Sequence, residues 1–231
     1  MMTKVYLIPA PLDTETLDVI PPYVFDAIKE CELFFVEDQR TTRRYFKSGW
    51  KEMVIDNYTW HTLGEPGTQE AFLKALSSNK VMGIVSEAGC PGVADPGQEL
   101  IALAQQQGAT VKPLVGPSSI LLALMASGFN GQRFQFVGYL PIEETDRIKA
   151  IRLLESTAAK ERCTQLFIET PYRNNQLLAS LLKHLQDQTL LCVATDLTGK
   201  TESIQTRTVA QWRKEIPSLH KRPTLFALYV A

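Results

Sequence analysis

The chain has 231 residues, 45% of them hydrophobic and 21% charged, a globular composition with room for one large domain or two modest ones. A formal net charge of −1 excludes a protein that coats nucleic acid by bulk electrostatics, while leaving room for a local basic patch that grips phosphates. Four scattered cysteines (Cys31, Cys90, Cys163, Cys192), three of them in apolar company suited to reduced core thiols, and three unclustered histidines (His61, His184, His220) predict no disulfide framework and no metal site.

The segment Met1-Met2-Thr3-Lys4 lacks the long apolar stretch of a signal peptide and leads into a strand from Lys4 to Ile8, so a cytoplasmic location is expected. A helix from Pro22 to Cys31, a strand from Leu33 to Val36 and a helix from Thr41 to Phe46 come next. A strand around Met53-Val54-Ile55 and a helix from Thr68 to Ser77 follow. Arg40, Arg43, Arg44 and Lys47 interleave with Tyr45 and Phe46, and they read either as a phosphate-facing group or as a solvated helix face. Arg147, Lys149 and Arg152 give a second, weaker cluster.

Lys80 to Val85 reads as a buried strand running straight into Ser86-Glu87-Ala88-Gly89-Cys90-Pro91-Gly92, whose small residues leave the backbone bare to a ligand. Asp95 before Pro96 is predicted to cap a helix that runs to Gln107 and stops at Gly108. Val111 to Val115 repeats the pattern and breaks at Gly116-Pro117-Ser118-Ser119. Ile120 to Ala126 is apolar all round, which predicts a buried helix, and it is too short to cross a membrane.

Beyond Ser127 candidate strands lie at Phe134 to Tyr139, Thr164 to Ile168, Leu190 to Ala194, Glu202 to Thr208 and Thr224 to Val230. The whole reads as an α/β protein with a mostly parallel sheet in residues 1–116, a mixed sheet in residues 117–231, and a ligand in the cleft between them. Nucleotide hydrolysis and dinucleotide binding are excluded: there is no phosphate loop, and Pro9-Ala10-Pro11-Leu12-Asp13-Thr14 replaces a Gly-x-Gly-x-x-Gly turn after the first strand. No Gly-x-Ser-x-Gly elbow anchors a hydrolase triad.

Taken in order, the proline-marked first loop, Glu37-Asp38-Gln39-Arg40, Ser86 to Gly97, Gly116-Pro117-Ser118-Ser119, Phe136-Val137-Gly138-Tyr139-Leu140-Pro141 and Phe167-Ile168-Glu169-Thr170 with Arg173 resemble the tetrapyrrole methylase superfamily. They resemble most its branch that methylates the ribose 2′-oxygen of a cytidine in small-subunit ribosomal RNA. The resemblance implies a two-domain α/β homodimer that binds S-adenosyl-L-methionine. Carried over by position, it implies cofactor contacts at Glu87, Ala88, Gly89, Cys90, Ser118 and Ser119. It further implies adenosine contacts at Ile168, Glu169, Ala194, Leu197, Pro223 and Thr224. Departures are also visible: the first loop has lost the glycine and asparagine of Pro-Ile-Gly-Asn-Leu. The segment Ala194-Thr195-Asp196-Leu197-Thr198-Gly199 lacks two cations of Ala-Arg-Glu-Leu-Thr-Lys.

Methyl transfer to a ribose hydroxyl needs a base, for which Glu37, Asp38 and Glu169 are candidates, with Arg40 as a phosphate or acceptor clamp. Against that, Glu37 or Asp38 can equally cap the helix near Thr41, and Arg40 can pair with either. Three functions therefore stand: a ribosomal RNA 2′-O-methyltransferase, a methylase of the same fold acting on a tetrapyrrole or other small molecule, and a non-catalytic RNA or protein binder.

Overall fold

Short runs of β-branched and aromatic residues, separated by amphipathic helices, assemble the first half of the chain into a parallel sheet. The structure, a computed structural model, describes residues 3–230, so the Met1-Met2 part of the amino-terminal reading lies outside it. The strands are β1 (Lys4–Ile8), β2 (Leu33–Val36), β3 (Thr59–Thr62), β4 (Met82–Val85) and β5 (Thr110–Pro113), in the order β3-β2-β4-β1-β5. All neighbours are parallel. Helices α1 (Tyr23–Glu30) and α2 (Gln39–Gly49) pack on one face around Ile8, Val24, Phe34 and Phe46. Helices α3 (Thr68–Ser77) and α4 (Gln98–Gln106) cover the other around Val5, Phe35, Phe72 and Ile84. Phe34 and Phe35 are both 0% exposed because alternate residues of a strand enter opposite cores.

The chain leaving β1 passes β4 to reach β2, while the chain leaving β4 passes β1 to reach β5. Two adjacent strands thus send their connections in opposite directions and open a crevice beyond their carboxyl ends, where open α/β sheets take ligands.

A second compact unit begins at Ser119. It contains α5 (Ser119–Ser127), β6 (Phe134–Tyr139), α6 (Glu144–Glu161), β7 (Thr164–Ile168), α7 (Asn174–His184), β8 (Leu190–Thr195), β9 (Ser203–Thr208), the single turn α8 (Val209–Trp212) and β10 (Thr224–Tyr229). Its sheet runs β6-β7-β10-β8-β9. Only β6 and β7 are parallel, and the other pairs are antiparallel. Helices α6, α7 and α8 enclose Phe167, Leu191, Phe226 and Trp212, and α5 lies against β8, β9 and β10. The α/β class, with one parallel and one mixed sheet, is as expected from the sequence.

Four local expectations need correction. Met53-Val54-Ile55 is not a strand: Met53 is buried at 2% exposure, yet the backbone turns through Ile55–Asn57 and pairing with β2 starts only at Thr59. Asp95 does not cap α4, since left-handed Gly97 occupies the cap. Helix α5 is not buried all round, for Leu121 and Met125 are 51% and 78% exposed. Arg147 is no surface cation: it is buried, and its guanidinium donates to the Ile142 carbonyl at 2.6 Å.

Candidate active site

Three strand exits of the first unit meet at the crevice. Ala10, just past β1, exchanges two backbone hydrogen bonds of 2.9 Å with Gly89, past β4. Gly89 has φ +74°, a conformation that side-chain-bearing residues rarely adopt. Past β5, a Cβ on Gly116 would lie 2.2 Å from Pro9 Cβ, so only glycine allows this exit to rest on that of β1. Cys90 Sγ donates to the Pro117 carbonyl at 3.5 Å. Glu87, Ala88, Gly89 and Cys90 are thereby gathered with Gly116, Pro117 and Ser118, while Ser119 opens α5.

The Glu37 to Arg40 motif leaves β2 beside them. Asp38 is the N-cap of α2: its Oδ1 accepts from the Thr41 N–H at 2.6 Å, and that bond above all holds its carboxyl below the usual range. Glu37 turns the other way, and its Oε2 accepts from the Glu87 N–H at 3.0 Å. Of the basic cluster, Arg43 stacks over Trp60 at 5.0 Å and donates to Gln39 at 2.8 Å. Lys47 donates to the carbonyls of Lys51 and Met53. Arg40 and Arg44 are exposed and form no ion pair among the described residues.

Asp95 is a residue whose part in this region the sequence reading missed. Burial first, then the charges of Glu37 and Glu87, push its carboxyl up to about 6. It lines a cavity of about 640 Å³ with Glu65, Glu70 and Glu99, and among the described residues no lysine or arginine borders that space. The sequence shows an acidic residue in a turn, but its field depends on a carboxylate from another strand.

In the second unit, antiparallel pairing aligns the start of β10 with the ends of β7 and β8. Leu225 lies opposite both Ile168 and Ala194, and Thr224 opposite Thr195. The Asp196 N–H donates to the Pro223 carbonyl at 2.9 Å, and its Oδ2 accepts from Arg222 at 2.8 Å and Thr201 at 2.7 Å. Ile168, Ala194, Pro223 and Thr224 therefore share one end of this sheet, with Leu197 buried just beyond β8. Glu169 is also buried, and its Oε1 accepts from the Thr170 N–H and from Arg173, each at 2.6 Å.

A model of the tetrapyrrole (corrin/porphyrin) methylases matches residues 4–212. The chain belongs to this family. It is an S-adenosylmethionine-dependent methyltransferase. Ribosomal RNA small subunit methyltransferase I of Vibrio cholerae is 29% identical over 209 residues, which make up 89% of this chain and 69% of that protein. The protein of the same name in Synechocystis is 30% identical over 197 residues, covering 85% and 68%, and that of Bacillus subtilis 29% over 217, covering 93% and 71%. This methylase thus spans about two thirds of the length of those relatives. Among solved structures, the methyltransferase CobJ superposes with a TM-score of 0.64 at 18% identity, covering 100% of this chain and 94% of CobJ. The uroporphyrin-III-C-methyltransferase of Thermus thermophilus gives 0.57 at 15%, covering 99% and 93%. These two likenesses show the fold.

The first-unit residues suit a sulfonium cofactor on their own chemistry. Burial, and after it the charges of Glu37 and Glu87, raise the Asp95 carboxyl, and a cation entering beside these carboxylates is stabilised. The left-handed Gly89 leaves bare backbone at the same place.

Proposed function

We propose that this methylase transfers the methyl group of S-adenosylmethionine to a ribose 2′-oxygen of small-subunit ribosomal RNA. The observation that carries the reading is the likeness, over 85% or more of the chain, to relatives named small-subunit ribosomal RNA methyltransferases. Arg40 and Arg44 support it, because two exposed guanidinium groups that form no ion pair among the described residues suit a phosphate backbone.

When bound, S-adenosylmethionine supplies an electrophilic methyl carbon on a sulfonium. Glu87, Ala88, Gly89, Cys90, Ser118 and Ser119 are assigned to hold it. The adenosine is assigned to Ile168, Glu169, Ala194, Leu197, Pro223 and Thr224. The protein must align the acceptor oxygen behind the methyl carbon and remove its proton. Glu37 is assigned as the base, since it sits on the Glu87 N–H at the start of the cofactor loop. Asp38 is engaged at the helix cap and Glu169 by Arg173, and Arg40 is assigned as the phosphate clamp. A homodimer belongs to the same reading, supported by exposed Leu121 and Met125 on α5 and by Phe134 and Tyr139 on the edge strand β6.

The test uses methyl-labelled cofactor and small-subunit RNA. A 2′-O-methyl group blocks alkaline cleavage at its own nucleotide, so label is expected in an alkali-resistant dinucleotide. Label that enters a tetrapyrrole and never RNA overturns the reading. Glu37→Gln is expected to lower kcat by ~10²–10⁴-fold with S-adenosylhomocysteine binding intact, and undiminished turnover removes Glu37 from this role.

A further inference from the structure

A second, smaller cavity lies in the first unit between α2 and the loop after β1. Its volume is about 180 Å³, room for about six waters, and below the ~300 Å³ at which pockets for drug-sized ligands begin. A folded macrocycle does not enter such a space, whereas one heterocyclic base with part of its sugar does. The walls match that occupant. Ala10, Pro11, Leu17 and the ring of Tyr45 give apolar surface for a π face. Tyr45 is fixed, its hydroxyl donating to the Pro9 carbonyl at 2.9 Å in the interior. The hydroxyls on the walls are those of Thr14, Thr41, Thr42 and Ser48; Ser48 gives its proton to the Tyr45 carbonyl at 2.7 Å and Thr41 bonds Asp38, so these two offer acceptors, while Thr14 and Thr42 can donate or accept as base edges and sugar hydroxyls require.

Two further features set the orientation. Arg44 borders the cavity, and Arg40 stands one helical turn away on the same side of α2, both without ion pairs among the described residues. On the opposite wall are Ser86 and Glu87, the start of the cofactor loop. A nucleoside seated here would have its flanking phosphates beside two guanidinium groups and its sugar toward the loop assigned to the methyl donor.

We propose that this cavity is an acceptor subsite for a single unstacked nucleoside of an RNA strand, with Arg40 and Arg44 holding the phosphates on either side of it. The proposal rests on the RNA reading above and adds how the acceptor is presented: the nucleotide leaves its stack and enters alone. The same pocket chemistry also suits the adenosine of the cofactor, so the test has to tell the two nucleosides apart.

The experiment follows threonine-methyl NMR signals of the whole chain while each of the four ribonucleoside 5′-monophosphates is titrated in turn, and repeats the titration with S-adenosylhomocysteine. Thr14→Phe and Ser48→Phe place a ring at the exposed rim of the cavity without touching either core. At least one monophosphate is expected to shift Thr41 and Thr42. Both variants are expected to weaken that binding and raise KM for RNA on the order of tenfold or more, the effect of one lost base stack. S-adenosylhomocysteine affinity should stay within about twofold of the parent's. The proposal is overturned if no monophosphate shifts these threonines. It is equally overturned if the rim variants lose S-adenosylhomocysteine binding, which would give the cavity to the cofactor. If a monophosphate seats as expected but RNA accepts no methyl group, the cavity is a nucleoside site that serves no RNA acceptor, and the proposal falls together with the RNA methylation reading.

Discussion

Asp38 and Asp95 stand in loops leaving adjacent strands, β2 and β4, and the fold moves their acidities in opposite directions. Exposed Asp38 is held low by the Thr41 N–H, whereas half-buried Asp95 is pushed up to about 6 by burial and then by Glu37 and Glu87. A carboxyl raised in the folded state binds its proton more tightly there than in the unfolded chain, so it costs stability once ionised. That cost is absent below the unfolded value near 3.8, grows as pH rises from about 4 to about 6, and is constant above. Asp95→Asn is therefore expected to be more stable than the parent at pH 7, by on the order of 1 kcal/mol after allowance for solvent screening of a half-exposed group. The difference should vanish near pH 4, and urea unfolding at the two pH values measures it. Of these two residues only Asp38 had its partner legible in sequence, three positions on in the same helix. The charges that act on Asp95 include one from another strand.

At the scale of elements, β4 shows how tightly the first sheet is filled. Gly83 is buried between its neighbours, and a Cβ there would lie 2.5 Å from Ile8 Cδ1 and 2.8 Å from Phe34 Cδ1. The Ile8 methyl can swing aside, but the Phe34 ring is held among Phe46, Tyr58 and Trp60. Gly83→Ala is expected to destabilise by ~1–3 kcal/mol through overpacking, read from the denaturation midpoint at unchanged slope. Fully buried strands such as β2 were legible as apolar runs, and α1 and α3 as periodic ones. The misreading at Met53 has a physical cause: its side chain fills the core from a turn, so burial was present without a strand partner. Edge strand β3 has the converse character, for Thr59 is exposed and the rest only half-buried while the backbone pairs with β2. Apolar pattern reports which side chains are buried; pairing requires a neighbour that sequence does not name.

For the molecule as a whole, a net charge of −1 means that any grip on RNA must be local. Arg40→Ala and Arg44→Ala are each expected to flatten the log–log salt dependence of RNA binding by about 0.7, the share of one phosphate contact to a single strand. Unchanged slopes in both would place the RNA elsewhere. Met125→Asp, on the 78% exposed position of α5, is expected to convert a dimer to a monomer in light scattering. A parent that is already monomeric removes the dimer from the proposed function. The sequence by itself determined the α/β class, the change from a parallel to a mixed sheet, and the polar loops at strand ends, because periodicity, glycines and prolines act locally on the backbone. Only the tertiary structure decided which of four neighbouring cations are held by contacts with other elements. Arg43 is taken by Trp60 of β3 and Lys47 by carbonyls beyond the end of its helix, while Arg44 borders a cavity closed by the β1 and β4 loops and Arg40 lies one helical turn from Arg44. Those partners are far apart along the chain or lie beyond a helix end, and a charge seen in sequence carries no record of what will neutralise it.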